Sequence, residues 1–264
     1  DYDETTDSII LSGRHQDAVI SIGYTSNELN WILGDPDNWE DSSINDKFFT
    51  PVGDDFEWQY AQHGAIVLPN GNIFLFDNGN NKSKFTESSV VASQSYSRGV
   101  IYSIDESNKT IEQVYQFGKE LGSAFYSPYI SNVDFYADGH YMIHSGGHGE
   151  YENEVLNIPG PLHEFVTDVN YKSMTYEVQD DVVKYYLEVQ DNFYRAKRVS
   201  LYTEHTAYRT GKGLVLGNLA ETKQFTGEYQ VRFNLLDTVP PRFELELTKE
   251  SVQWIMKNAS TSVK

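Results

Sequence analysis

The chain has 264 residues, 39% hydrophobic and 14% aromatic, enough apolar mass for one large or two smaller packed domains. Its 39 acidic residues outnumber 20 basic ones, for a formal net charge of −19, and such a field repels nucleic acid and anionic membranes, so an anion site has to be made positive locally. The chain has no cysteine, hence neither disulfides nor thiolate chemistry; no apolar run approaches the ~20 residues that cross a bilayer, and the acidic start Asp1-Tyr2-Asp3-Glu4 does not read as a signal peptide.

In chain order, the first group of short β-type runs is Ile9-Ile10-Leu11, Ala18 to Ile22 and Trp31-Ile32-Leu33. Between the first two stands Ser12-Gly13-Arg14-His15-Gln16. Arg14 and His15 follow a strand and a glycine, so they sit in a strand-end turn. A guanidinium is a permanent planar fork suited to tetrahedral oxyanions; a surface arginine beside a turn histidine is the plain alternative. The acidic loop from Gly34 to Asp41 lacks the ligand spacing of a calcium loop and reads as a solvated turn.

Next comes Trp58-Gln59-Tyr60-Ala61-Gln62-His63-Gly64-Ala65, with His63 just before the strand Ala65 to Leu68. An imidazole there is a base, a metal ligand, a nucleophile, or a core histidine bonded to backbone. Trp58 and Tyr60 offer faces on which an aromatic ring can stack.

The second group is Ile73 to Phe76, Val100 to Ile104 and Ile111 to Tyr115. Phe76-Asp77-Asn78-Gly79 ends its first strand in a turn former, and Asp77 can also orient a histidine by accepting its second N–H. Ser97-Arg98-Gly99 adds an arginine that serves either an anion or a structural ion pair. The third group opens at Tyr141 to His144 and runs into Ser145-Gly146-Gly147-His148-Gly149. The paired glycines disfavour a helix, so His144 and His148 are a weak metal signal on a flexible strand exit. The best helical candidate is short, Glu250 to Asn258. There is no glycine-rich phosphate loop and no Gly-x-Ser-x-Gly elbow.

A turn, an apolar strand and a small or polar exit recur at Ile9, Ile73, Tyr141 and Leu214, spaced 64, 68 and 73 residues apart. Sheets repeated in this way stack on one another, and a β-propeller with large blades is the natural reading, with a β-sandwich as its rival. Three to four units are at the low end for a ring of ~4–8 blades. An open ring exposes long edge strands, so further blades are expected outside this chain.

Taken in order, Ser12 to Ile20, Trp31 to Gly34, Gln62 to Ala65, Phe76 to Gly79, Tyr96-Ser97-Arg98 and Tyr126-Ser127-Pro128 make the chain similar to the aryl-sulfate sulfotransferase family. The match covers roughly residues 1–150 and thins afterwards, with Phe193-Tyr194-Arg195-Ala196 as a late element. The resemblance implies an all-β, six-bladed propeller preceded by a smaller β-sandwich. Residues 1–204 are then propeller blades, roughly the C-terminal half of the ring or more, and 205–264 are C-terminal strands closing or flanking it. The sandwich and the first blades, with a His-x-Asn motif and another histidine, are expected outside this chain, on a separate chain or another copy.

The resemblance also implies an extracytoplasmic enzyme that moves a sulfuryl group from a phenolic sulfate ester to a phenol by ping-pong chemistry through a sulfohistidine, with no nucleotide donor, cofactor or metal. The family's nucleophilic histidine falls on His63 and its sulfuryl-binding arginine on Arg14. His15, Asp77, Arg98, Ser131, Trp58 and Tyr60 are the further candidates for the substrate site. A polar threonine of the family falls on Ile130, next to Ser131, which is a departure. Two other readings stay open: a non-catalytic propeller that binds carbohydrate or protein, and a metal-dependent propeller lyase or hydrolase.

Overall fold

The computed structural model describes residues 1–157 and 169–198, together with the backbone of two strands, Tyr229–Arg232 and Glu244–Leu247. Two compact units divide the chain, Asp1–Lys197 and Arg198–Lys264. The expected strand at Leu214 and helix at Glu250 to Asn258 lie outside the described residues. In the second unit the two described strands pair antiparallel.

The first unit is all-β. β1 (Tyr2–Asp3), β2 (Ser8–Gly13), β3 (Ala18–Gly23) and β4 (Leu29–Leu33) form an antiparallel meander. β5 (Thr50–Val52) lies parallel to β9 (Thr110–Phe117) at the edge of a second sheet. That sheet continues inward through β8 (Arg98–Asp105) and β7 (Ile73–Asp77) to β6 (His63–Val67). Pro51 is tolerated in β5 because an edge strand need not donate every N–H. The third sheet runs β10 (Asn132–Ala137), β11 (His140–Tyr151), β13 (Asn170–Gln179) and β14 (Val182–Val189), with the short β12 (Glu154–Val155) on the end of β11. Among the described residues no sheet closes on itself.

The repeat read from the sequence has a structural meaning. Ile9, Ile73 and Tyr141 each lie on the second strand of a four-stranded meander, namely β2, β7 and β11. Alternation along β7 then stacks the sheets. Ile73 and Leu75 pack with Ile10, Val19, Trp31 and Leu33 of the first sheet. Phe74 and Phe76 pack with Tyr141, Ile143 and Met174 of the third. Successive side chains of a strand point to opposite faces, so a strand buried on both sides reads as one apolar run. Each such side chain contributes about 1.5–3 kcal/mol on burial. The middle sheet is thus wedged between two others, and the strand ends bearing His63, Asp77 and Arg98 meet along one rim.

Candidate active site

His63 opens β6 opposite Phe76. Directly after it the pairing register shifts, and Gly64 adopts a positive φ of 62°. A side chain at Gly64 would also press on Asn132, with a Cβ 3.2 Å from its Cα. Such a bulge bends the strand and re-aims the neighbouring side chain.

Buried groups hold the approach to His63. The Ala61 N–H donates to Asp17 Oδ1 at 2.6 Å, fixing Ala61 at a positive φ of 53°. Gln59 donates to the Leu33 carbonyl at 2.9 Å, and Gln62 to the carbonyls of Ala18 (2.8 Å) and Gly13 (3.3 Å). These bonds tie the His63 segment to the β2–β3 turn, a single 3₁₀ turn that carries Arg14 and His15.

The turn from Ser127 to Ser131 accepts hydrogen bonds from Arg14 and Asn78. Arg14 Nη2 donates to the Pro128 carbonyl at 2.8 Å. Asn78 Nδ2 donates to the carbonyls of Ser127 (2.7 Å) and Ile130 (3.1 Å). Both amide hydrogens of Asn78 are thereby spent on carbonyls, so its Oδ1 is the atom that faces His63 Nδ1 at 2.7 Å. A carbonyl oxygen only accepts, so Nδ1 carries the proton and the neutral ring keeps its lone pair on Nε2.

Burial, foremost, pushes the His63 ring below the usual histidine range. The Asn78 and Ala61 hydrogen bonds oppose this, and the positive charges of Arg14 and Arg195 reinforce it. Arg14 is half-buried and Arg195 exposed, and among the described residues neither pairs with a carboxylate. His15 is exposed, its Nδ1 3.4 Å from Arg14 Nη1.

The other candidates read from the sequence sit elsewhere. Asp77, the expected orienting group for His63, instead accepts from the N–H groups of Tyr60 and Gly79, each at 2.9 Å, and from Arg98 Nε at 3.0 Å. Asn78, one residue on, takes the orienting place. Arg98 is fully buried and spends its donors on Asp77, Glu57, Gln113 and Tyr102, leaving none for an anion. Trp58 is half-buried against the core shared by the first two sheets, its ring centroid 4.7 Å from that of Phe56. The Tyr60 hydroxyl donates to Asp35 Oδ2 at 3.1 Å, and burial, then that carboxylate, holds its proton on.

Ser131 is 1% exposed, and its hydroxyl accepts the Gly146 N–H at 2.9 Å within the turn. Ile130, with φ at 49°, contributes its carbonyl to Asn78. His144 and His148 are buried and already bonded: His144 to Thr175 and the Phe193 carbonyl, His148 to the Tyr126 carbonyl and Glu150. No three His, Asp or Glu side chains among the described residues converge as a metal donor set.

A cleft of about 500 Å³ opens at the far end of β6, by Val67 to Gly71. Its wall includes Asp3, Glu4 and Glu106, which repel an anion, so the His63 end is the better site for one. Among the described residues no helix is long and apolar enough to cross a membrane.

Sequence reasoning passes over Asn78, Gln62, Asp17 and Asn132. The signal for Asn78 is present in the Asp77-Asn78-Gly79 turn, but it reads only as turn chemistry.

A family model described as Arylsulfotransferase (ASST) matches residues 1–203. Arylsulfate sulfotransferase AssT of Escherichia coli O6:H1 (strain CFT073) is 33% identical over 198 residues, covering 69% of this chain and 32% of the relative. Arylsulfate sulfotransferase AssT of Lelliottia amnigena is 30% identical over the same length and shares. The chain thus spans about a third of the length of the curated relatives it matches.

Proposed function

The chain belongs to the arylsulfotransferase family, and on that premise we propose that the protein transfers a sulfuryl group from a phenolic sulfate ester to a phenol, with His63 as the carrier. One observation carries this reading: His63 is held neutral, with its proton on Nδ1 against Asn78, beside arginines that no carboxylate among the described residues neutralises. A nucleophile must present a lone pair, and an anionic donor must be drawn into a protein of net charge −19.

In the proposed reaction Nε2 of His63 attacks sulfur in line. The N–S bond forms as the bond to the aryl oxygen breaks, and the electron pair leaves as phenolate. The sulfonated ring is an imidazolium, and its Nδ1–H bond to Asn78 then becomes charge-assisted. An acceptor phenol attacks sulfur next, returns the electron pair to Nε2 and gives its proton to the departed phenolate or to water. Arg14 spends N–H groups on Pro128 and His15 and has others for the equatorial oxygens. As in phosphoryl transfer, positioning and charge stabilisation are the main contributions, and one well-placed donor is worth about 3–4 kcal/mol in the barrier.

The three stacked meanders are read in the same way as blades of a β-propeller, with His63 and Arg14 at strand ends of neighbouring blades. Extracytoplasmic placement goes with the family reading and is tested by cell fractionation.

The decisive experiment mixes the full-length protein with 4-nitrophenyl sulfate and follows both nitrophenolate release and protein mass. A labile adduct of sulfate mass on the peptide bearing His63, absent in His63→Asn, is the expected result. Turnover without such an adduct, or normal turnover by His63→Asn, sinks the carrier role. A protein that only binds carbohydrate gives neither adduct nor turnover, and a metal-dependent hydrolase loses activity to chelator.

A further inference from the structure

One arginine near His63 has no place in the scheme above. Arg195 follows the third sheet in the chain, yet hydrogen bonds bring its segment back to the His63 rim. The Phe193 N–H donates to the Gly146 carbonyl at 3.0 Å, and the Ser131 N–H donates to the Tyr194 carbonyl at 3.2 Å. Asn132 clamps the next residue from both sides: the Ala196 N–H donates to its Oδ1, and its Nδ2 donates to the Ala196 carbonyl, each at 2.9 Å.

His144 adds a buried tie. Its Nε2–H donates to the Phe193 carbonyl at 3.1 Å, while Thr175 Oγ1 lies 2.8 Å from its Nδ1. Glycine at 146 is required, because a Cβ there would sit 2.1 Å from the Phe193 carbonyl oxygen. Asn132 is also the residue on which Gly64 rests, directly after His63. Ser131 and Asn132, which hold Arg195's neighbours, directly follow Ile130, whose carbonyl holds Asn78.

Five backbone and side-chain bonds thus fix the main chain on both sides of Arg195, while its own side chain is left loose. That side chain is exposed, 5.5 Å from the centroid of the Tyr194 ring, and no carboxylate among the described residues neutralises it. In a chain with twice as many acids as bases, an anchored but unpaired cation at the mouth of an anion site is a charge placed for a ligand.

We propose that Arg195 is a second anion-binding residue of this site, set at its rim to capture the charged head of a sulfate monoester, while the half-buried Arg14 acts further in. The inference rests on the His63 reading and assigns it a capture step. Because Arg195 is exposed and its side chain hydrogen-bonds nothing among the described residues, Arg195→Gln and Arg195→Lys are expected to leave the fold intact.

The test is made on the full-length protein with 4-nitrophenyl sulfate. At low salt, Arg195→Gln raises KM about fivefold, the scale of a partly exposed ion pair, and leaves kcat near wild type. Salt screens the difference away, and Arg195→Lys restores most of the loss. NMR titration of His63 gives a second readout, of proximity: removing a nearby positive charge in Arg195→Gln raises the His63 pKa, and Arg195→Lys keeps it near wild type, whereas an unmoved pKa places Arg195 too far from His63 for the capture role.

Equal KM at low salt in wild type and Arg195→Gln overturns the inference while leaving the carrier role of His63 standing. If wild type turns over no aryl sulfate, the reaction itself is refuted. Inorganic sulfate binding then decides: weaker binding in Arg195→Gln supports the capture role, and equal binding removes it.

Discussion

The Asp77–Arg98 cluster and the His63 site stand at the same end of the same sheet and treat charge in opposite ways. In the cluster every charge is answered. Arg98 and Asp77 are both fully buried and 3.0 Å apart, and Glu57, Lys119 and Lys82 close the network around them. At the site, Arg14 and Arg195 meet no carboxylate among the described residues, and the imidazole is held by a neutral amide. Asp77 and Asn78, consecutive in the chain, divide the two jobs, because successive side chains at a strand end face opposite ways. A charge that serves the scaffold has to be paired, since an unpaired one in low dielectric is costly. A charge that serves an anionic ligand has to be left without a partner.

The contrast can be broken from either side. His63→Asn is expected to cut nitrophenolate release by roughly 10⁴-fold or more, the scale for deleting a nucleophile, with little change in the urea midpoint. Arg98→Met does the reverse. It strands a buried carboxylate and costs about 3–5 kcal/mol in urea unfolding, while the fraction that remains folded turns over near the wild-type rate.

Asn78→Leu, which removes the orienting bond together with the amide bonds to the Ser127 and Ile130 carbonyls, lowers kcat roughly 10- to 100-fold, as loss of a group that orients an imidazole does elsewhere, and lowers the urea midpoint as well. Asn78→Asp keeps the acceptor but adds a charge that favours the imidazolium, so the acidic limb of the pH–rate profile moves to higher pH.

The smallest effect is on the wild-type profile itself. Burial holds the His63 ring below its ordinary value of 6.5, so the folded site stays neutral further into acid than a free histidine. The acidic limb of kcat/KM is therefore expected below that value. A limb above it means that burial is not what sets the protonation of the ring.

Much of the architecture was legible beforehand. Ile9, Ile73 and Tyr141 mark the same strand of three successive meanders, because each unit has to hide the same apolar faces against its neighbours. The resemblance singled out His63 and Arg14, and the structure places both at strand ends. The errors have a common cause. Arg98 is a residue type fit for binding, and the sequence does not say whether a guanidinium meets a ligand or Asp77. The choice between Asp77 and Asn78 turned on the phase of a single strand end.

By itself, then, the amino-acid order determined the β-rich meanders, their apolar alternation and the residue types available for chemistry, because these follow from local periodicity and turn propensity. Only the tertiary structure decided which polar groups neutralise one another inside the scaffold and which are left facing the His63 site. Pairing is a matter of spatial neighbourhood. Arg14, His63, Asn78, Pro128 and Ala196 come from distant parts of the chain, and stacking of the sheets is what brings their neighbourhoods together.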